Sequence, residues 1–226
     1  QKLVMVLEVA YWAIRGIAQP IRLLLEYTGE EWEEKIYKCG PAPDFDKSCW
    51  FDVKEKLGLA FPNLPYLIEK DSEGNTVRSM SQSVTIMSFI ARRHNLLPET
   101  EEENVRADQM RDETIDFRGA FTRLCYNPKF EELKAEFIDA LPGKLKKFEQ
   151  YMAGHEWVAG KKLTYVDFMF AEILDHHLCL VPDCLKELPH LSNYHMRFFN
   201  LPRIKSYRSS ERCIGRPLNN KYASFY

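Results

Sequence analysis

A change of pattern at Leu96–Glu103 constrains this chain more than any other feature. That segment reads Leu-Leu-Pro-Glu-Thr-Glu-Glu-Glu, a proline-containing acidic linker. Before it, short β-rich runs alternate with helical periodicity. After it, the spacing is helical throughout. Leu3–Ala10 is apolar and β-rich, a candidate central strand, followed by a turn at Tyr11–Gly16. Ile17–Tyr27 carries Ile17, Ile21, Leu24 and Leu25 at helical spacing, with Pro20 in its first turn and Gly29 as a stop. Trp32–Tyr37 is a second strand, and Gly40-Pro41-Ala42-Pro43-Asp44 marks a loop. Ser48–Leu57 reads as a short helix. Pro65–Ile68 and Thr76–Met80 flank the hairpin signal Asp71-Ser72-Glu73-Gly74-Asn75, and Ser83–His94 is a helix. The order is βαβ, loop, ββα. The helices expected beyond the linker are Asn104–Tyr126, Phe130–Leu141, Pro142–Met152, Thr164–Leu180, Leu188–Phe199 and Pro202–Ser209. Residues 215–226 form an aperiodic tail. The domains expected are therefore 1–95 and 104–226, joined by 96–103: an α/β unit followed by an all-α unit.

A chain of 226 residues can bury a substantial core. The formal net charge of −2 argues against nucleic acid or an anionic membrane as the main partner, and no apolar run approaches a membrane span. The six cysteines are scattered without a Cys-x-x-Cys, which fits free thiols in a reducing cytoplasm better than a disulfide scaffold. His176, His177, Cys179 and Cys184 lie close in sequence. Their spacing does not match zinc sites, and adjacent histidines face different sides of a helix, so no metal is expected. Thr164-x-x-Asp167 resembles a capping box and reads as structural.

Two places carry candidate chemistry. The first is Phe61–Ser83. Leu64-Pro65 is an X-Pro bond at a strand entry, where a cis form would turn the Leu64 backbone toward a peptide-like ligand. Ser83 reads as the capping residue of the next helix, whose N-terminal N–H groups would attract a carboxylate. The same residues also suit an ordinary turn and cap. The second place is Tyr11, between the first strand and first helix, where α/β layers often place active groups. It equally suits a half-buried tyrosine. Trp12 and Trp50 are core aromatics or ligand-flanking indoles. Lys47 and Lys54 are a solvated face or a carboxylate clamp.

Taken together, these residues carry a resemblance that covers nearly the whole chain. Tyr11-Trp12-x-Ile14-Arg15-Gly16, Ile21-Arg22-Leu23-Leu24-Leu25-Glu26-Tyr27-Thr28, Lys56-Leu57-Gly58-Leu59-x-Phe61-Pro62-Asn63-Leu64-Pro65-Tyr66, Gln82-Ser83, Ile90-Ala91-Arg92-x-His94-Asn95-Leu96 and Leu124-Cys125-Tyr126-x-Pro128 resemble a cytosolic glutathione transferase of the mu class. The long loop before Trp50 is similar to the one that sets mu enzymes apart.

The resemblance implies a thioredoxin-like domain followed by a helical domain. It implies glutathione as co-substrate and detoxifying attack of its thiolate on apolar electrophiles. Tyr11 would stabilise the thiolate by donating its phenolic O–H. Trp12, Lys47, Trp50, Lys54, Asn63, Leu64, Pro65, Gln82 and Ser83 would hold the tripeptide, Leu64 by its backbone. Asp116 would reach the γ-glutamyl amine from a second subunit, and Phe61 would insert into the partner, making a homodimer. The electrophile would lie over Ile14, Ile17, Ile115, Gly119, Thr122 and Tyr126, capped by Asn219 and Asn220. Lys47 stands where many members carry arginine. Val84-Thr85 follows Gln-Ser in place of Asn-Ala, and Ser88 replaces a frequent interface arginine. The alternative kept open is a non-catalytic ligand-binding or structural protein on the same scaffold.

Overall fold

The structure, a computed structural model, describes residues 5–226. Its chain divides into two compact units. Leu3 and Val4 of the expected first strand lie outside the described residues.

The first unit comprises residues up to His94 together with Ser210–Tyr222 and Tyr226. Its four strands are β1 (Val6–Trp12), β2 (Trp32–Tyr37), β3 (Tyr66–Lys70) and β4 (Thr76–Ser81), in the order β2-β1-β3-β4. β1 runs parallel to β2 and antiparallel to β3, and β3 is antiparallel to β4. The parallel pair is joined through helix α1 (Gln19–Thr28), which packs on α3 (Ser83–Arg93). Helix α1 carries Pro20 in its first turn, where a missing N–H costs nothing. It ends at Gly29, in the left-handed region at φ 72°, whose N–H bonds the Leu25 carbonyl at 2.9 Å.

Two expectations in this unit change. β1 continues through Tyr11 and Trp12, which the sequence places in a turn, because both pair in register with Ile36 and Tyr37 of β2. The helix expected over Ser48–Leu57 stops as α2 (Ser48–Phe51), followed by a 3-10 turn at Lys54–Lys56. The Val53 N–H bonds the Trp50 carbonyl at 3.1 Å, three residues back. This tighter winding sets Val53 on the same edge as Trp50, and both pack in one apolar cluster.

The second unit holds Asn95–Ser209 and Ala223–Phe225. Its helices are α4 (Glu101–Cys125), α5 (Phe130–Met152), α6 (Tyr165–Leu180), α7 (Pro189–Phe199) and α8 (Pro202–Arg208). The acidic run assigned to the linker is the first turn of α4, where Thr100 and Glu103 close a capping box. The break expected at Pro142 is absent: α5 runs through it. Pro142 is exposed, so its ring meets solvent, and the buried stripe of Leu141, Leu145, Phe148 and Met152 continues past it. Tertiary burial outweighs the lost backbone bond. Helix α6 is buried on nearly all sides and packs against α4 and α7.

The tail differs from expectation as well. Residues 210–222, grouped by sequence with the helices, pack with the first unit: the Arg15 N–H bonds the Pro217 carbonyl (2.9 Å) and the Gly16 N–H bonds the Leu218 carbonyl (3.0 Å). Among the described residues no helix is long and apolar enough to cross a membrane.

Candidate active site

Tyr11 is the penultimate residue of the inner strand β1, with its ring buried against the loop that leads into α1. Its phenolic oxygen accepts a hydrogen bond from the Ile17 N–H at 3.4 Å. A donor aimed at that oxygen strengthens the hydroxyl as a donor in turn. Gly16 makes this approach possible. It has φ 48°, and a Cβ there would lie 2.4 Å from Tyr11 Cε1 and 2.8 Å from its hydroxyl oxygen. Only glycine satisfies both the backbone and the space.

The loop itself is held from below by Arg22. Its wholly buried guanidinium donates from Nη1 to the carbonyls of Ile14 (3.0 Å) and Arg15 (3.1 Å), and from Nε to Glu34 on β2 (2.6 Å). Sequence reasoning gave neither Gly16 nor Arg22 a role. The signal for Arg22 was a charge inside the apolar run Pro20–Leu25.

Around Tyr11 the structure gathers Trp50, Leu64, Ile14 and, half-buried, Trp12 and Ile17 into one cluster. Trp50 is locked by aromatic partners. It stacks on Tyr66 (centroids 6.0 Å apart, planes at 25°) and meets Tyr37 edge-on (5.4 Å, 68°). The Tyr37 and Tyr66 hydroxyls are 3.1 Å apart, and Tyr66 donates to Glu8 at 3.4 Å. Burial, with its Tyr37 and Glu8 neighbours, holds the Tyr66 phenol well above its usual range, so it stays neutral. Tyr37 and Tyr66 are further residues that sequence reasoning did not single out.

The Leu64-Pro65 bond is cis. The Leu64 N–H, expected to be open, instead donates to the Asn63 side-chain oxygen at 2.9 Å. Asn63 is exposed, and Leu64 and Pro65 are buried. The Ser81 hydroxyl donates to the Phe61 carbonyl at 2.6 Å, which ties the Phe61–Pro65 stretch to the end of β4, next to Gln82 and Ser83. Here the cap assignment shifts by one. Ser83 is the first residue of α3, and Gln82 precedes it as the cap, at φ 73° and without a side-chain bond to the helix. A non-glycine residue at that φ is uncommon and marks strain held by its surroundings.

Both lysines have partners of their own. Lys47 Nζ lies 4.3 Å from the centre of the Tyr222 ring, and Lys54 Nζ is 3.4 Å from Glu55. Asn219 and Asn220 are buried, and Asn220 accepts from the Cys39 thiol at 3.6 Å. Cys39 and Asn220 line a cavity of about 160 Å³ with Ile14, Ala13 and Pro217.

In the helical unit, Ile115, Gly119, Thr122 and Tyr126 recur along α4 at one-face spacing, three to four residues apart. Thr122 and Tyr126 are half-buried, and Ile115 is 44% exposed. Asp116, also exposed, lines a largely apolar cavity of about 250 Å³ between α4 and α5 with Phe117, Ala120, Phe137 and Leu141. The histidines of α6 are committed elsewhere: His176 bonds Glu172 (2.9 Å), and His177 lies flat on Phe117 with centroids 4.0 Å apart. Burial lowers the His177 pKa to about 3, so it is neutral. Among the described residues no group of three or more His, Cys, Asp or Glu is arranged to hold a metal ion.

A ββα hairpin-helix unit with a cis-proline strand entry, preceded by βαβ and followed by an all-helical unit, defines a thioredoxin-like domain with a helical partner domain. The family model described as "Glutathione S-transferase, N-terminal domain" matches residues 7–92, and "Glutathione S-transferase, C-terminal domain" matches 115–211. The chain is similar to "Glutathione S-transferase Mu 5" of Rattus norvegicus, 45% identical over 95% of this chain and 93% of the relative. It is also similar to "Glutathione S-transferase Mu 3" of Homo sapiens, 46% identical over 95% of this chain and 93% of the relative. Among solved structures it is similar to the glutathione S-transferase Blo t 8, with a TM-score of 0.85 and 32% identity over 96% of this chain and 99% of that one. The chain belongs to the glutathione S-transferase family, among relatives of the mu class.

Proposed function

We propose that Tyr11 is the residue that holds the glutathione thiolate of this transferase, and that the tripeptide is cradled by Trp12, Lys47, Trp50, Lys54, Asn63, Leu64, Pro65, Gln82 and Ser83. The observation that carries the reading is the Tyr11 hydroxyl braced by the Ile17 amide over a glycine, beside Trp50 and Leu64. A free thiol has a pKa near ~8.5, so only a few per cent is thiolate at neutral pH. Lowering it by about two units takes roughly 2.7 kcal/mol of preferential stabilisation of the anion. A buried phenol donating to sulfur does this electrostatically, with the thiol proton leaving to solvent. Leu64 would exchange its bond to Asn63 for one to the cysteinyl unit. The open start of α3 would take the γ-glutamyl carboxylate beside Gln82 and Ser83.

The electrophile is an apolar molecule bound by Ile14, Ile17, Ile115, Gly119, Thr122 and Tyr126, with Asn219 and Asn220 supplying polar atoms. The role is detoxification in the cytoplasm. The working unit is a homodimer. Phe61 is 74% exposed and sits beside the Ser81–Ser83 turn, an unusual cost for a large aromatic unless it is covered. The cavity that Asp116 lines on α4 and α5 is apolar enough to receive Phe61 of a second copy, which would bring Asp116 to the γ-glutamyl amine.

Initial rates with glutathione and an aryl halide, measured across pH for wild type and Tyr11→Phe, test the reading. A two-unit rise in thiol pKa lowers the rate roughly 25-fold at pH 7, with recovery toward pH 9 and little change in glutathione affinity. An unshifted pH profile in the variant would refute the role of Tyr11. For the dimer, Phe61→Ser is expected to move the sedimentation coefficient from dimer to monomer; an unchanged dimer would refute the role of Phe61.

A further inference from the structure

A cavity of about 560 Å³ lies in the first unit away from Tyr11, on the face of the open edge strand β2. That is within the range of pockets that enclose small organic ligands. Its apolar floor comes from Leu25 of α1, Trp32 and Ile36 of β2, and Ile214 of the tail. Five carboxylates line it, and three are committed. Glu34 pairs with buried Arg22, Glu30 with His94, and Glu26 accepts from the Trp32 indole at 2.9 Å. The other two, Glu31 and Glu211, are exposed and have no side-chain hydrogen-bond or ion-pair partner among the described residues.

One cation already sits in the cavity. The tail returns Arg212 into it, the one basic residue in the lining. Its guanidinium pairs with Glu26 and lies 5.6 Å from the centre of the Trp32 ring. The indole is fixed by its own bond to Glu26, so face and carboxylate together present a pre-organised seat for a flat cation. Arg212 fills only part of it, and its side chain is 62% exposed. The remaining volume, the apolar floor and the two unmatched carboxylates favour a cation that also carries a hydrophobic body.

We propose that this cavity is a second ligand site, independent of the glutathione cradle, that binds small aromatic cations of the amidinium or guanidinium type. The cation sits between Glu31 and Glu211 and over Trp32, and the aryl body lies on Leu25, Ile36 and Ile214. Arg212 is an internal competitor for the same seat.

Titration calorimetry of the full chain with benzamidine tests this, with benzamide as the uncharged isostere. Saturable one-site binding is expected, at least ten-fold tighter than benzamide, and weakening as salt rises. Glu31→Gln with Glu211→Gln is expected to weaken it by about three- to five-fold per carboxylate, the range of exposed ion pairs. Arg212→Ala is expected to tighten it by removing the competitor. Turnover with glutathione serves as the folding control for each variant. No saturable binding, equal affinity for benzamide, or an unchanged affinity in the double glutamate variant would each overturn the proposal.

Discussion

At the start of α6, Thr164 and Asp167 close a reciprocal cap inside the protein, whereas at the start of α3 Gln82 is exposed, at φ 73°, with no side chain capping the helix. The first turn of a helix always leaves N–H groups without intrahelical partners. In α6 the protein satisfies them itself. Asp167 accepts from the Thr164 N–H (2.8 Å), the Val158 N–H (2.9 Å) and the Tyr194 hydroxyl (3.2 Å), all buried. In α3 a flexible polar residue in a strained conformation stands where a cap would be. One terminus is built to hold a core together, and the other, in the function proposed above, takes a carboxylate of glutathione. The local sequences, Thr-x-x-Asp and Gln-Ser, differ little in polarity. Their burial makes the difference.

Substitutions and pH should act very differently on the two termini. Asp167→Ala strips a buried acceptor from four donors, the Thr164 hydroxyl included, and should cost about 3–5 kcal/mol, read as a large fall in the denaturant midpoint. A loss below ~1 kcal/mol would mean that the α6 cap is not the anchor described.

The second test uses pH. Burial pushes the Asp167 carboxyl up to about 6, against the hydrogen bonds from Val158 and Thr164 that favour its charged form. Between about pH 4 and about pH 6 the folded chain keeps a proton that the unfolded chain releases. The contribution of this group to stability therefore falls as pH rises through that window, by roughly 3 kcal/mol at most, and is flat above it. Wild type compared with Asp167→Asn by urea unfolding from pH 4 to 7 should show that slope, wild type losing stability relative to the variant as pH rises. Wild type gaining stability relative to the variant over that window would reverse the assignment.

The smallest effect is expected at the open end. On the proposed function, Gln82→Ala would remove a contact to a charged ligand, worth about 1.5 kcal/mol, so the Michaelis constant for glutathione should rise about ten-fold. The unfolding midpoint should barely move, because the Gln82 side chain makes no bond to the helix it precedes. A stability loss as large as that at Asp167 would show that both termini do the same job.

Much of this protein was legible as pattern. The change of periodicity after His94, the βαβ–ββα order, Gly29 as a helix stop and the Thr164–Asp167 cap are local signals, and the structure has them close to where they read. Errors came where a distant partner decides. β1 lengthens because β2 pairs with Tyr11 and Trp12. α5 survives Pro142 because its buried stripe continues.

The candidate site divides the same way. Tyr11, Trp50, Leu64, Gln82 and Ser83 stood out as residue types at element ends. Gly16, Arg22, Tyr37 and Tyr66, which brace them, did not, since nothing in a sequence marks which glycine faces a phenol or which arginine is wholly buried.

By itself, then, the sequence determined the kind of elements, their order and the residue types available for chemistry, because periodicity, capping and turn preference act over a few residues. Tertiary structure alone decided how close Tyr11 lies to the Ile17 amide, that Gln82 at the start of α3 is held at φ 73°, and that residues 210–222 return to the first unit to bring Arg212 over Trp32. Those outcomes depend on burial and on contacts across long stretches of chain, where packing and desolvation outweigh local preference.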